Sequence, residues 1–285
     1  MILRSSDPVV RFAIEGIELQ LPFSHQLPFY VRAYPDYGTN VGRLASVVAD
    51  AIPSATAIDI GANVGDTAAV IRASSKMPIL CIEGNQEFLP MLRANASAIG
   101  DVEIAECYVA DRAGEIPGRL EVGGGTARIV PDATGTVRAT TLDAICARHP
   151  RFAGAALVKI DTDGFDCRIL RAHLALWRET RPVLFFEYDP SLWPAQEQDE
   201  GFGVFADLEG CGYTRGLIWD NFGEYLCSVS LSDARALEEV HELAARRDGR
   251  FVDIAAFPAC HEALADTLRR TELAHFRRAP ERIAR

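Results

Sequence analysis

The sequence predicts an α/β fold built on a mostly parallel sheet, with helices on both faces and an antiparallel hairpin near its end. Three observations carry this. Short apolar runs recur at 57–60, 78–83, 102–109, 156–161 and 182–187, each followed by a helix-like or loop segment. Strands alternating with helices pack in parallel, through right-handed crossovers. The first run opens into a glycine-spaced turn that starts a helix, as in open sheets that bind a ligand beyond their strand ends. After Gly201 the rhythm changes: strands at 214–219 and 225–229 are joined only by Asp220-Asn221-Phe222-Gly223, which makes an antiparallel pair. Five parallel strands and this hairpin give an expected seven-stranded sheet of Rossmann-like type.

Taken in order, residues 10–21 alternate apolar and polar around Glu15-Gly16 and predict a β-hairpin. Residues 24–40 are rich in aromatic and polar groups and poor in periodicity. They read as a loop that is either a connector or part of a substrate site. A helix is expected over 41–51, capped by Thr39 or Asn40. Helices follow the successive strands at 66–74, 86–98, 141–148 and 165–176. Residues 111–139, with Gly123-Gly124-Gly125, read as an irregular or two-stranded excursion. Beyond the core come helices at 204–210 and 234–246, a strand-like stretch at 251–257 and a last helix at 262–276. The expected division is an N-terminal hairpin and substrate-side extension over 1–55, a core over 56–230, and a C-terminal helical extension over 231–285.

With 285 residues, 48% of them hydrophobic, the chain can bury a large core. Its net charge of −11 argues against a nucleic-acid-binding surface, which needs clustered Lys and Arg. The arginines near the C-terminus read as a solvated helix face ending in a tail. Seven cysteines, none in a Cys-x-x-Cys pair, point to reduced and mostly buried thiols, hence to the cytoplasm. The opening Met1-Ile2-Leu3-Arg4 leads into no apolar signal region. No apolar run approaches the ~20 residues of a membrane span.

The turn itself is Asp59-Ile60-Gly61-Ala62-Asn63-Val64-Gly65-Asp66-Thr67. Gly61 and Gly65 let a ligand approach the backbone. Its acids, Asp59 and Asp66, are unsuited to a pyrophosphate and suited to a ligand with a cationic end, and S-adenosylmethionine carries a sulfonium and an ammonium. Glu83, about 20 residues on, sits where an acid accepts bonds from ribose hydroxyls. Glu83-Gly84-Asn85 adds Asn85 to the expected contacts, and Asp111 at the end of the third strand is a weaker partner for an adenine amino group.

The fourth and fifth parallel strands end in Asp161-Thr162-Asp163-Gly164 and Glu187-Tyr188-Asp189-Pro190. Asp161 and Glu187 are candidates for holding the cofactor's ammonium, for deprotonating a hydroxyl, or for binding a divalent cation. Asp163 and Asp189 are expected to act as a helix cap and a turn residue. Lys159 shares a sheet face with Asp161 and needs an acidic partner within an apolar strand. His25, between aromatics, is a candidate general base, or else a hydrogen-bonded loop residue. His173 and His241 read as structural or exposed. No His, Cys and acid cluster has zinc spacing, and neither a nucleophile elbow nor a P-loop is present.

The loop 59–67, then Ile82-Glu83 with Leu92-Arg93-Ala94-Asn95, then Thr141-Leu142-Asp143, then Val158-Lys159-Ile160-Asp161-Thr162-Asp163-Gly164, resemble the FkbM family of methyltransferases over residues 56–187. Two departures stand out: Glu-Gly-Asn in place of the family's Glu-Pro-Asn, and Thr162-Asp163 in place of a small apolar residue and Glu. The resemblance implies O-methylation dependent on S-adenosylmethionine, of a hydroxyl on a sugar or glycan in surface-polysaccharide biosynthesis, or of a polyketide or other secondary metabolite. The non-enzymatic alternative is a nucleotide-binding module that keeps the fold without the chemistry. Tyr30, Tyr34, Tyr37, Trp193 and Trp219 are candidates for the acceptor site. The expected partners are a small-molecule or glycan acceptor and a second copy of the chain, with no nucleic acid.

Overall fold

The computed structural model describes residues 7–123, 125–130, 135–193, 201–246 and 249–278. Gly124, the opening tetrapeptide and the end of the basic tail lie outside them.

The hairpin is β1 (Val9–Ile14) and β2 (Ile17–Pro22). Its turn is left-handed at both Glu15 (φ 47°) and Gly16 (φ 82°), the geometry that matches strand twist. Residues expected as loop then form α1 (Leu27–Ala33), which Pro28 starts by sitting in its first turn. α2 (Thr39–Ala51) follows. The core runs β3 (Ala57–Ile60), α3 (Asp66–Ser74), β4 (Ile79–Glu83), α4 (Leu89–Ile99) and β5 (Val102–Glu106). The excursion is more ordered than its composition suggests: β6 (Tyr108–Val109), β7 (Gly114–Pro117) and β10 (Thr136–Thr140) form one small sheet, and β8 (Arg119–Gly123) pairs with β9 (Thr126–Val130).

After α5 (Leu142–Arg148) come β11 (Leu157–Ile160) and a helix that breaks in two, α6 (Asp166–Ala172) and α7 (Leu174–Thr180). His173 marks the break. Its Nε2 accepts the Leu142 amide at 3.0 Å, while Nδ1 donates to the Ile169 carbonyl at 2.8 Å, so its role is structural. The chain continues through β12 (Val183–Tyr188), α8 (Val204–Gly210), β13 (Tyr213–Asp220), β14 (Tyr225–Ser230), α9 (Ala234–Ala244), β15 (Val252–Pro258) and α10 (Glu262–Arg278).

The main sheet has eight strands rather than seven, in the order β14-β13-β15-β12-β11-β3-β4-β5. The extra one is β15, the strand-like stretch near the C-terminus. It inserts antiparallel between β12 and β13 and so separates the hairpin from the parallel strands. From β3 the chain winds outward through β4 and β5, then returns to the other side of β3 as β11 and β12. The switch point therefore lies between β3 and β11, where a ligand crevice opens beyond the strand ends.

Two apolar layers cover the sheet. α5 to α9 pack on one face, through Ile145, Leu170, Trp177, Phe205 and Leu237. α2, α3, α4 and α10 pack on the other, through Leu44, Ile71, Leu92 and Leu268. Fully burying such a side chain contributes roughly 1.5–3 kcal/mol. Trp219 is fully buried and Trp193 nearly so, against Tyr188 at 5.2 Å, so these two rings belong to the core and not to an acceptor site. All seven cysteines are free thiols, four of them buried. No helix among the described residues is long and apolar enough to cross a membrane.

Candidate active site

The register of β3 and β11 sets Lys159 directly beside Asp59, with Asp161 two residues on and on the same face. Lys159 is 4% exposed and its ammonium lies 3.2 Å from Asp59 and 3.1 Å from Asp161. Burial works against the ammonium, but Asp161, Asp59 and Asp66 outweigh it and hold the Lys159 pKa well above its ordinary value. Burial raises Asp59 to about 6, against the pull of Lys159. The expected lysine–acid pair is therefore an acid–lysine–acid bridge across the switch point, buried at Asp59 and Lys159 and open to the crevice at Asp161.

Above this bridge the glycine turn closes on β11. Gly61 has φ 79°, and a Cβ there would run into the Asp161 carbonyl, so only glycine fits. The turn is braced from β4: Glu83 accepts the Asn63 amide at 2.8 Å and the Asn85 amide at 2.6 Å. Burial raises the Glu83 pKa, and these backbone donors oppose it. Asn85 accepts the Glu87 amide at 2.9 Å and so shapes the start of α4. Asn95, 1% exposed, ties the turn to the N-terminal hairpin by donating to the Val64 and Gln20 carbonyls at 2.7 and 2.8 Å. Its place in Leu92-Arg93-Ala94-Asn95 is the only sequence signal for that role.

The crevice has a volume of roughly 380 Å³. Gly61, Asn63, Asp66, Thr67, Glu83, Lys159, Asp161, Glu187 and His25 all line it, as does the apolar set Ile82, Val109, Phe165 and Ile169. Asp59, Gly65 and Asn85 lie behind it, and Asp111 is exposed on the turn after β6, outside it. Thr162, with a buried hydroxyl, and Tyr108, with a buried phenol, also line it, and neither group has a hydrogen-bond partner among the described residues.

The acids at the far side carry raised pKa values. Burial, followed by Asp161, Asp166, Asp163 and Asp253, pushes Glu187 well above the carboxylate range. Burial lifts Asp253, its cross-strand partner, to about 7 even though the Asn40 amide donates to it at 3.1 Å. The expected cap at Asp163 is replaced. Asp163 sits left-handed in the turn at φ 51°, and Asp166 gathers the turn by accepting the amides of Thr162 and Gly164 at 3.1 and 3.2 Å. Asp189 accepts the Ser191 amide at 2.9 Å, as expected of a turn residue. Among the described residues no three His, Cys, Asp or Glu side chains converge on a point that could hold a metal ion.

His25 has both ring nitrogens engaged. Nδ1 accepts the Leu27 amide at 3.2 Å, and Nε2 lies 3.4 Å from Asn63 Oδ1. Asn63 in turn donates to the Gly125 carbonyl at 2.6 Å, and a Cβ on Gly125 would strike the His25 ring. Three distant segments thus meet over the crevice, and this arrangement makes His25 a strap. Of the expected acceptor aromatics, Tyr30 and Tyr37 line the mouth. Tyr34 stacks on Phe222 at 3.8 Å, and Phe222, Asn221 and Gln26 complete the rim. The loop at Asp220 gave no hint of this beyond its turn chemistry.

The family model described as the methyltransferase FkbM domain matches residues 59–214. No curated protein matches the chain. Among solved structures it is similar to the methyltransferase FkbM of Methylobacillus flagellatus KT, at 14% identity and a TM-score of 0.41, covering 57% of this chain and 39% of that one. It is also similar to the precorrin-6y C5,15-methyltransferase of Geobacter metallireducens GS-15, at 14% identity and 0.39, covering 72% and 80%. A third is TYW2 of P. horikoshii in complex with MeSAdo, at 14% and 0.41, covering 88% and 72%. The chain thus spans about two-fifths of the M. flagellatus protein and most of the other two.

Proposed function

This chain belongs to the FkbM methyltransferase family, and from that premise we propose that it transfers a methyl group from S-adenosylmethionine to a hydroxyl of a sugar or glycan. The observation that carries the reading is the charge of the crevice. Asp66, Asp161, Asp163, Glu187 and Asp189 face it, and the one ammonium among its described lining residues, Lys159, is already shared between two carboxylates. Such a site favours a ligand with a cationic end.

The chain's own groups fit that cofactor. Gly61 leaves the backbone open to close approach. Ile82, Val109, Phe165 and Ile169 form an apolar slot for a planar base, and the buried Tyr108 and Thr162 hydroxyls need partners there. Glu83, pinned by two amides, keeps free lone pairs for ribose hydroxyls. Asp66 and Asp161 would hold the ammonium. When bound, the cofactor supplies an activated methyl group on its sulfonium.

The remaining work belongs to positioning and to one proton. Holding the hydroxyl in line with the methyl supplies much of the acceleration. Glu187 binds a proton more tightly than an ordinary acid, and it is the base that takes the hydroxyl proton once it has ionised, which the positive charge of a bound cofactor favours. Lys159, 3.1 Å from its carboxylate, holds Asp161 in place.

Titration calorimetry with S-adenosylmethionine tests the first half: heat of binding is expected, and tight NAD binding without it would overturn the reading. Glu187→Gln tests the second. With the acceptor found by screening glycans against labelled cofactor, kcat should drop by about 10²–10⁴-fold, with cofactor affinity retained. Unchanged turnover would remove Glu187 from the mechanism.

A further inference from the structure

The rim of the crevice is built from two segments far apart in sequence. Gln26, Tyr30 and Tyr37 come from around α1, while Asn221 and Phe222 come from the β13–β14 turn. The turn is shaped and then clamped. Asp220 accepts the Phe222 and Glu224 amides at 3.0 and 2.9 Å. Gly223 has φ 86°, and a Cβ there would strike the Asp36 carbonyl, so the turn lies hard against the N-terminal segment. Arg43, paired with Glu272 at 2.7 Å, also reaches the Gly223 carbonyl.

The rings form a continuous near-parallel stack. Tyr37 lies on Tyr30 at 5.3 Å and 17°, Tyr30 on Tyr34 at 6.5 Å and 26°, and Tyr34 on Phe222 at 3.8 Å and 19°. Tyr30 and Tyr34 are the inner members of the series. The two ends of the stack, Tyr37 and Phe222, are in the crevice wall.

Two amides flank them with opposite capacities. Gln26 Oε1 accepts the Tyr30 hydroxyl at 3.1 Å, which leaves its NH2 to donate. Asn221 Nδ2 donates to the Gly249 carbonyl at 3.2 Å, which leaves its oxygen to accept. A hydroxyl group both donates and accepts. A ring with apolar faces and hydroxyl edges therefore matches this rim, and the acids beneath it repel an anion.

We infer that the acceptor is an uncharged, hydroxyl-bearing ring compound seated between Gln26 and Asn221 against Tyr37 and Phe222, and that phosphorylated or carboxylated sugars are turned away. This rests on the O-methyltransferase reading and narrows its substrate class to neutral glycans, excluding nucleoside-diphosphate sugars and uronates as acceptors. The selection is by rejection as much as by fit. An anion entering here meets an acidic lining whose one ammonium among the described residues, Lys159, is already shared between two carboxylates.

The test offers the full chain three matched sets: neutral hexose disaccharides, the corresponding uronates, and nucleoside-diphosphate hexoses. Turnover is read with labelled cofactor and binding by ligand-observed NMR. Neutral members should bind and react at least ~10-fold better than either anionic set. Phe222→Ala and Asn221→Ala should each raise the acceptor KM about 5- to 50-fold while leaving the calorimetric cofactor Kd within about twofold, and melting curves confirm folding. Equal or better use of the anionic sets, or no binding of any neutral member, overturns the inference. So does a rise in cofactor Kd that matches the rise in KM. Loss of cofactor binding by the unaltered chain strikes instead at the methyltransferase reading, so the two failures are separable.

Discussion

The two ends of the crevice are made differently. Its floor, around Gly61, Glu83, Lys159 and Asp161, comes from strand ends that hydrogen-bond to one another within a parallel sheet. Its rim joins residues 26–37 to 220–224, segments with no shared strand pairing that meet through ring stacking and one tight glycine contact. The floor is buried, charged and backbone-braced. The rim is partly exposed, turns uncharged side chains to the crevice and is held largely by side chains. A floor of this kind can be kept for one cofactor while a rim of the other kind changes acceptor, since altering a ring at the rim disturbs no ladder.

The sharpest way to break this contrast is at Lys159. Lys159→Met leaves Asp59 fully buried with its ion pair gone, and removing one partner of a buried pair costs about 3–5 kcal/mol. The loss should appear in urea unfolding at pH 8, above the value of about 6 held by Asp59. Adding Asp59→Asn should recover a large part of it. If the double variant is no more stable than the single one, the floor is not organised around that bridge.

Two glycines give a matched comparison. Gly61 and Gly223 both have left-handed φ, and at each a Cβ would strike a backbone carbonyl, of Asp161 and Asp36 respectively. Alanine at either should cost at least about 1–3 kcal/mol of strain. The functional outcomes should diverge: Gly61→Ala weakens cofactor binding, whereas Gly223→Ala raises the acceptor KM and leaves cofactor affinity alone. A common phenotype would erase the distinction between floor and rim.

His25 stands between the two. As a strap over Asn63 it should tolerate His25→Ala with less than about a tenfold loss of kcat, against the 10²–10⁴-fold expected of a general base. The pH profile of kcat should keep its shape in the variant, since Glu187 still accepts the proton.

The same contrast explains what the sequence could and could not tell. The floor is written in short stretches. Period-two strands with acids at their ends place Lys159 and Asp161 on one face by spacing alone, and Gly61 is legible because only a close approach demands it. The eighth strand is visible as a pattern at 251–257, but its insertion beside β12 depends on long-range pairing that no local signal encodes. Pro28 is a helix-start signal, hidden by the aromatic residues around it. Trp193 and Trp219 resemble acceptor contacts in sequence because ring type does not report which side of a sheet a ring faces. Phe222 and Tyr34 could not be joined, since most of the chain separates them.

The smallest expected effect concerns protons. Asp253 holds a carboxyl whose affinity for a proton rises from 3.8 to about 7 on folding, because it is buried. Between those values the native chain keeps a proton that the unfolded chain has released. Its contribution to stability is therefore fully present below about pH 4 and is lost as pH rises through 7. Asp166, also lifted to about 7, adds to the same slope. Melting temperature should fall between pH 5 and 7.5, and Asp253→Asn should flatten part of that fall while keeping an acceptor for Asn40. The two ligands should then part company. A cofactor with net positive charge binds better once these carboxyls ionise, so its stabilisation of the chain should grow from pH 5 to 7.5. An uncharged acceptor has no such coupling, and the additional stabilisation it gives to the cofactor-loaded chain should stay flat. An acceptor whose effect rises with pH in step with the cofactor's would mean that the rim shares the charge of the floor.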